Sequence, residues 1–482
     1  MLYSRNVSAN ERLYLASEKG FGQLILQLIV EGCGRIDPEA LQSAIEKAAV
    51  THPGCRVRRQ GSHWTADGPL PHLRVTAGCP DFYKDLNRSA RLHGVLHDEQ
   101  VAEIELFADG DRCILAFRCL HAVADAQGLL LWARAVFSFL RGETPPSALS
   151  PLSDRALVAK LGVKARSEAP LSPSSIGFQG KADGQHRYSL SRVTIAGVHV
   201  GISARIAVMM RDYFEDPDAT FMVPVDLRPH LEGERSTGNL TLPLFIQAPE
   251  GQSWEVLFQR MLKAFDGKRY LDISNLDRFQ SLAPVSLLSW LLPQLHVRQM
   301  KQGRYLVNSL ISSIGRVSQA DFGLTGFQAD VICFLPMPIP IPIASTNFVV
   351  TEYGRSTEIC ISVPQEFEHR LDEIVQKFFA ATGLSESGRP CVFGLPLRPL
   401  DKPDINERIE GMANRFPDRI ALEEGSRYLS YSEMMTTRDL LASALLRRGG
   451  SGAMRLALLM NRSIETVLTM LASLKAVDGR WR

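Results

Sequence analysis

A nonpolar stretch between positions 113 and 140 is interrupted by a short segment that carries two polar side chains, His121 and Asp125. The residues before it, 113–119, predict a buried strand, and those after it, 127–140, predict a helix with an almost wholly nonpolar face. Such a junction exposes side chains at the end of a sheet while the backbone is held on both sides. It also leaves free N–H groups at the helix start, which can stabilise a developing oxyanion.

The neighbouring segments continue this pattern in two blocks, 1–165 and 187–385, and the predicted fold class is therefore α+β. In the first block, Ser8 and Glu11 have the spacing of a capping box that opens a helix. A Gly-containing turn at 108–111 predicts a hairpin. Further strands are predicted at 24–30, 101–107, 220–225, 241–247, 306–313, 330–334 and 357–361, and further helices at 37–49, 202–214 and 365–381.

Two segments rich in proline, glycine and serine divide the chain. The first, 165–186, predicts a linker or long crossover between the two blocks, which we expect to be an N-terminal and a C-terminal lobe. The second, 386–404, predicts a linker to a short third unit at 405–482.

Composition excludes several classes of protein. The 482 residues include 54 Lys and Arg against 52 Asp and Glu, a net charge of +2, so neither nucleic acid nor an anionic membrane is an expected partner. Eight scattered cysteines without a CxxC pair are typical of reduced thiols. There is no signal-peptide pattern, and the longest nonpolar run, 331–344, is too short and proline-broken to cross a bilayer. We expect a cytoplasmic protein with no metal site and no tightly bound cofactor.

Two HxxxD patterns are present, and only their surroundings separate them. His63 and Asp67 lie among glycines and a proline, which predicts a loop with no regular element on either side. His121 and Asp125 lie between a predicted strand and a predicted helix. An isolated histidine is most often a hydrogen-bonded core residue, and Asp125 alone would be an ordinary helix cap. The alternative is that His121 is a general base or hydrogen-bond partner oriented by Asp125. The local residues leave both interpretations open.

Beyond this junction, the chain resembles the condensation-domain superfamily, the chloramphenicol-acetyltransferase-like acyltransferases of nonribosomal peptide synthesis. Their signature is HHxxxDG at a strand-to-helix junction, and LHAVADA stands here, with His121 and Asp125 matching the second His and the Asp. Weaker landmarks follow in order: HPGCRVR (52–58), VPVDLRP (223–229), GNLTLPL (238–244), SSIGRVSQADFG (312–323) and PMPIPIP (336–342). The resemblance covers about residues 5–384 and implies two chloramphenicol-acetyltransferase-like lobes in a V, with the motif between them.

The resemblance also implies roles for individual residues. An acyl or aminoacyl thioester on the phosphopantetheine arm of a carrier protein would enter from one side of a tunnel, and an amine from the other. His121 would hydrogen-bond the attacking nucleophile, and Asp125 would pair with Arg228 in a structural, orienting task. Residues implied near the oxyanion or the tunnel are Ala126, Gly128, Asn239 and Ser312.

Two positions depart from the signature. Leu120 replaces the first His, which is largely structural in the family. Ala126 replaces the Gly and adds a methyl group where the backbone is expected to approach the substrate.

The third unit resembles the opening of an adenylation domain of the AMP-forming synthetase family. FPDRIALEEGSRYLSYSEM (416–434) fits the family pattern PDxxA…LTYxEL, and 455–476 resembles the stretch that leads to LKAGxxYVP. The match ends at LKA and is followed by VDGRWR, which we interpret as a truncation. The phosphate loop, ribose-binding Asp and catalytic Lys lie beyond this point in the family, so adenylation is not expected. No phosphopantetheine attachment site is found, so acyl or peptidyl carrier proteins and other synthetase modules are expected to act in trans.

Three functions remain open at this level. The first is amide formation of the condensation type. The second is an acyl-CoA-dependent O- or N-acyltransferase of the same fold. The third is a docking module whose catalysis is weakened by Leu120 and Ala126. The unfinished adenylation domain favours the first over the second.

Overall fold

The computed structural model describes residues 3–79, 96, 99–162, 174–181, 188–271, 284–336, 343–386, 405–424, 427–448 and 463–478. The chain divides into two compact units, Met1–Pro390 and Cys391–Arg482. The described helices are α1 (Ala9–Phe21), α2 (Pro38–Thr51), α3 (Ala126–Leu140), α4 (Asp154–Lys160), α5 (Ile202–Tyr213), α6 (Trp254–Asp266), α7 (Val285–Gln302), α8 (Leu371–Thr382), α9 (Ile405–Arg415), α10 (Tyr431–Arg448) and α11 (Ile464–Asp478).

The strands of the first unit form two large sheets and two small ones. Its strands are β1 (Ser4–Asn6), β2 (Ile25–Gly34), β3 (Arg58–Gln60), β4 (His63–Thr65), β5 (His72–Ala77), β6 (Ala102–Asp109), β7 (Arg112–Leu120), β8 (Ser175–Ile176), β9 (Tyr188–Ala196), β10 (Asp218–Asp226), β11 (Thr241–Pro249), β12 (Arg304–Tyr305), β13 (Ser309–Val317), β14 (Phe327–Leu335), β15 (Thr346–Tyr353) and β16 (Ser356–Pro364).

The first large sheet has the order β14-β2-β7-β6-β5. Its central strands β2 and β7 are buried on both faces, which explains their nearly unbroken nonpolar sequences. Helices α2 and α3 cover one face, and residues of the second sheet, including Leu190 and Cys360, pack against the other. The sheet therefore lies in the middle of the unit and holds the end of β7 in a fixed place.

Helix starts in this part follow the sequence signals. Ser8 caps α1, and the Glu11 carboxylate returns a bond to the Ser8 N–H, so the predicted capping box is present. Asp37 caps α2 and is followed by Pro38 in the first turn. The predicted hairpin is formed by β6 and β7 around Gly110, whose φ of 60° lies in the left-handed region.

The second large sheet has the order β11-β10-β13-β15-β16-β9. A nonpolar core lies between this sheet and α5, α6 and α8. β14 follows β13 in sequence, yet it pairs antiparallel with β2 of the first sheet, from Phe327 opposite Gly34 to Leu335 opposite Gln27. A strand of the predicted C-terminal lobe thus completes the sheet of the N-terminal lobe, so the two lobes share an element.

A buried ion network joins the two large sheets. Arg192 of β9 donates to Glu31 of β2 at 2.6 Å and to Glu358 of β16 at 2.8 Å. All three side chains are almost fully buried. Because removal of one member of such a network leaves an unpaired buried charge, this contact ties the sheets to one arrangement.

The α+β prediction is confirmed, and two local predictions are wrong. His63 does not lie in a loop but begins the short strand β4, which pairs with β1 and β3. The segment 365–381 is not one helix: a 3-10 turn with a kink at Phe367 precedes α8. The predicted linkers, 165–186 and 386–404, fall mostly outside the described residues, so the domain limits stay predictions.

The second unit contains α9, α10, α11 and a hairpin of β17 (Ile420–Glu424) and β18 (Arg427–Ser430). Its core includes Met434, Ile464, Leu468 and Leu471. The turn from β18 into α10 is a capping box, because Glu433 accepts from the Ser430 N–H at 2.8 Å while Ser430 Oγ accepts from the Glu433 N–H at 3.3 Å.

Candidate functional site

His121 lies immediately after β7 and five residues before the first residue of α3. Its backbone N–H donates to the Leu24 carbonyl at 2.8 Å, and its carbonyl accepts from Asn239 Nδ2 at 2.8 Å. The backbone of the junction is therefore held by the first sheet on one side and by the approach to β11 on the other.

The His121 imidazole has a defined tautomer. Nδ1 lies 2.9 Å from the Ala124 carbonyl oxygen, which can only accept, so Nδ1 carries the proton. Burial lowers the pKa of His121, and the bond to Ala124 and the charge of Asp125 oppose that shift only in part. The ring is thus neutral near pH 7, with a lone pair on Nε2.

Asp125 is the N-cap of α3 and does not contact the imidazole through a hydrogen bond. Its Oδ1 accepts from the Gly128 N–H at 2.8 Å, and its Oδ2 accepts from the Leu240 N–H and from Thr241 Oγ1, each at 2.8 Å. Arg228 closes the set with two further contacts to the carboxylate. Asp125 therefore joins the start of α3 to the start of β11.

Arg228 is fully engaged. Besides Asp125, its guanidinium donates to Asp226 Oδ1 at 2.7 Å, to the Ser236 carbonyl at 3.0 Å and to the Gly238 carbonyl at 2.7 Å. Burial alone would raise the pKa of Asp125, but the Arg228 charge and the hydrogen bonds outweigh it and hold that pKa below the ordinary value. Asp125 stays ionised and is a poor proton shuttle.

A second buried network supports the junction from α1. Glu11 accepts from Arg5 at 2.6 Å, from Trp64 Nε1 at 3.1 Å and from Asn239 Nδ2 at 3.3 Å. Arg5 in turn donates to the Val123 carbonyl at 2.8 Å. Both carbonyls that flank the turn after β7 are thus bound by side chains anchored to Glu11.

The two departures from the family signature, Leu120 and Ala126, both contact the core of the first sheet. Leu120 is the last residue of β7 and belongs to the core of the first sheet. The methyl group of Ala126 packs partly against the same core. The glycine that the geometry requires is Gly128, where a Cβ atom would lie 2.1 Å from the Thr237 carbonyl oxygen.

Six of the predicted site residues are joined at the junction. His121, Asp125, Arg228, Asn239, Ala126 and Gly128 all lie at or beside it. Ser312 lies on β13 opposite Val349. Its strand reaches the junction, because Gln127 Nε2 of α3 donates to the Ile314 carbonyl of β13 at 2.8 Å.

Sequence reasoning missed three neighbours of the site. The Tyr14 ring stacks on His121, Glu11 binds Asn239, and the Asp154 carboxyl accepts from Asn10 Nδ2 at 3.4 Å. The sequence pattern indicates only a capping role for Glu11. In the structure the Glu11 side chain both caps α1 and accepts from Arg5 and Asn239, which bind the backbone of the junction. A signal for Tyr14 was its position three residues after Glu11, on the same helix face.

No metal centre or membrane span is found in the described part of the chain. Among those residues, no group of three or more His, Cys, Asp or Glu side chains is placed to hold a metal ion. None of the helices described is both long and nonpolar enough to cross a bilayer.

Known structures share the fold that carries this junction. The condensation domain from Monacolin K polyketide synthase MokA covers 79% of this chain and 96% of its own, with a TM-score of 0.54 at 8% identity. The starter condensation domain of rhizomide synthetase RzmA covers 79% of this chain and 94% of its own, with a TM-score of 0.53 at 14% identity. The first unit therefore has the condensation-domain fold, and the predicted resemblance is confirmed.

The second unit is similar to AMP-binding enzymes. Residues 409–477 match the family model described as AMP-binding enzyme. The chain is also 40% identical over 72 residues to Tyrocidine synthase 1 of Brevibacillus parabrevis. That alignment covers 15% of this chain and 7% of the relative, so the chain matches only a small part of the length of this curated protein. The second unit of the structure contains the segment 405–482, and the predicted resemblance of that segment to an adenylation-domain fragment is confirmed.

Proposed function

We propose that the first unit is an acyltransferase of the condensation type. It forms an amide bond between an acyl or aminoacyl thioester, carried on the phosphopantetheine arm of a carrier protein, and an amine acceptor. The observation that carries the proposal is the place of His121 at the end of β7, with Nδ1 2.9 Å from the Ala124 carbonyl oxygen. Because Nδ1 donates in this contact, Nε2 is the ring nitrogen that can accept a proton. The condensation-domain fold supports the same reaction class.

His121 would act on the attacking amine. As the amine nitrogen bonds to the thioester carbonyl carbon, Nε2 accepts the proton that the nitrogen loses, and the carbonyl oxygen takes the negative charge. When the C–S bond breaks, the leaving thiolate receives that proton. The products are an amide and the free thiol of the phosphopantetheine arm, so atoms and charge balance.

The start of α3 supplies a candidate site for the oxyanion. Gly128 uses its N–H to bind Asp125. The preceding N–H groups at the helix N-terminus, those of Ala126 and Gln127, donate no hydrogen bond within the described part of the chain. Two such donors in a partly buried setting are suited to an oxygen that gains charge in the transition state.

Asp125 would have an orienting task rather than a chemical one. Its carboxylate is ionised and saturated by Arg228, Leu240, Thr241 and Gly128, so it has no proton to give and no free acceptor site for one. Its bonds fix the start of α3, and through that start the position of His121.

The carrier protein and any further synthetase modules would act in trans in the cytoplasm. No cofactor would be held between reactions, because the thioester arrives with its carrier. The turn at Ser430 and helix α10 of the second unit lie within residues 409–477, which match the AMP-binding enzyme model.

The identity of the acyl donor is tested with the purified full-length protein, and the products are followed by intact-protein mass spectrometry. Octanoyl and aminoacyl groups are presented both on a carrier protein and on coenzyme A, together with a panel of amines. The proposal predicts an amide product and loss of the acyl mass from the carrier. If acyl groups are transferred only from coenzyme A, the protein is an acyl-CoA-dependent acyltransferase and the proposed carrier-protein donor is wrong. If neither donor supports transfer, the proposed catalytic activity is contradicted and a docking module is favoured.

A further inference from the structure

The ring of Tyr14 lies on the imidazole of His121 in a nearly parallel stack. The ring centroids are 4.0 Å apart and the planes differ by 19°. Nδ1 is bound at the ring edge by the Ala124 carbonyl, so the imidazole is held at one edge and on one face. These two contacts leave little freedom for rotation about the side-chain torsions of His121.

Tyr14 is itself held by its helix. On α1, Leu13 and Ala16 pack against Leu288 and Leu292 of α7. One turn earlier, Glu11 is bound by Arg5, Trp64 and Asn239. The backbone of α1 is thus anchored on both sides of Tyr14, which fixes the point from which the ring reaches His121.

We propose that Tyr14 is a positioning residue for His121, and that its ring sets the plane of the imidazole from which Nε2 meets the attacking amine. This inference rests on the function proposed above. The role assigned to Tyr14 depends on its ring alone, because the stack does not use the hydroxyl group. Its effect comes from orientation, and acyl transfer is sensitive to small errors in the placement of the base.

The charged groups around the stack are consistent with this assignment. Asp125 lies at the start of α3, Glu11 lies on the same face of α1, and Asp154 lies at the start of α4. Burial, reinforced by these three carboxyl groups, raises the pKa of Tyr14, so the phenol is neutral. The imidazole is therefore covered by an uncharged ring that excludes water from its face, which agrees with the lowered pKa of His121.

Three variants of the full-length protein separate positioning from simple packing. Tyr14→Phe keeps the stack, Tyr14→Ala removes it, and Tyr213→Ala removes an equal side chain from the cluster of Phe178 and Phe214 in the second core. Each is titrated by NMR with ¹³C-labelled histidine, and the His121 signal is assigned by its loss in His121→Ala. Turnover of the octanoyl-loaded carrier protein is measured in parallel.

We expect Tyr14→Ala to raise the pKa of His121 toward the ordinary value of about 6.5. We also expect it to lower kcat roughly tenfold with little change in KM, as for the loss of one aromatic pair. Tyr14→Phe should stay within about twofold of the wild type, and Tyr213→Ala should leave the His121 titration unchanged. An unchanged His121 titration in folded Tyr14→Ala would overturn the proposal. The NMR result is independent of turnover, so it stands even if the protein proves to have no transferase activity.

Discussion

Arg228 and Asp125 form a two-point ion pair, with Nη1 3.0 Å from Oδ2 and Nη2 2.8 Å from Oδ1. Arg228 follows β10 of the second sheet, and Asp125 caps the helix that follows β7 of the first. Asp125 is only 4% exposed. The pair therefore joins the two halves of the condensation-type unit at the point where the candidate base lies.

Replacement of Arg228 by Ala should destabilise the first unit by about 3–5 kcal/mol, because the Asp125 carboxylate would stay buried without its cation. Chemical denaturation followed by tryptophan fluorescence measures the loss. The control is Arg370→Ala, which removes an exposed pair with Glu373 and should cost less than about 1 kcal/mol. Equal stability of Arg228→Ala and the wild type would show that the pair does not hold the junction.

Substitutions at Gly128 and Ala126 should differ in their effect on stability, although the two positions are only two residues apart. Gly128→Ala should destabilise the protein by about 1–3 kcal/mol, since the added Cβ would lie 2.1 Å from the Thr237 carbonyl oxygen. Ala126→Gly restores the family residue in the first turn of α3 and should cost no more than about 1 kcal/mol. Denaturation midpoints decide the comparison, and a larger loss for Ala126→Gly than for Gly128→Ala would contradict the geometry.

Asp154 should make stability depend on pH. It is 2% exposed, and burial raises the pKa of its carboxyl to about 7, against about 3.9 in an unfolded chain. Between these values the folded protein binds more protons than the unfolded one, so the contribution of Asp154 to stability falls as pH rises, by at most about 1.4 kcal/mol per pH unit.

Asp154→Asn isolates this contribution, because other carboxyl groups cancel in the difference between the two proteins. The amide keeps an oxygen for the Arg155 N–H, which Asp154 binds at 2.7 Å. Relative to the wild type, the variant should gain stability between pH 4 and pH 7 and then level off. Parallel stability curves for the two proteins across that range would count against a raised pKa at Asp154.

In the second unit, the ion pairs of Arg438 should stabilise the packing of α9, α10 and α11 against one another. It is fully buried and donates to Glu410 at 2.7 Å, and it pairs with Asp439, while Lys475 also contacts both acids. Arg438→Ala should speed hydrogen exchange in α9, α10 and α11, with peptides of α5 as the internal reference. The control is the exposed Arg427→Ala, for which little change is expected. Unaltered exchange in Arg438→Ala would show that this ion cluster contributes nothing.

Much of the fold of the first unit could be predicted from local sequence patterns. The capping box of Ser8 and Glu11, the β6–β7 hairpin and the strand-to-helix junction at His121 depend on residues close in sequence, and each was predicted. The pairing of β14 with β2 in the first sheet was not predicted, because β2 lies about 300 residues earlier in the chain. The pairing of Asp125 with Arg228 was predicted from family resemblance alone, since no local pattern links them. The Tyr14 stack was missed because the spacing of Tyr14 from Glu11 shows only that the two share a helix face, whereas the contact with His121 joins two separate elements.

His121 and His63 offer a matched pair for the most direct test, because both begin an HxxxD pattern but only His121 lies at the junction. Single-turnover transfer from an acyl-loaded carrier protein to an amine is followed by quenched-flow mass spectrometry for the wild type, His121→Ala and His63→Ala. Loss of a general base should slow transfer by about 10²–10⁴-fold in His121→Ala, while His63→Ala keeps the wild-type rate. A folded His121→Ala variant that transfers as fast as the wild type would contradict the assignment of His121 as the base.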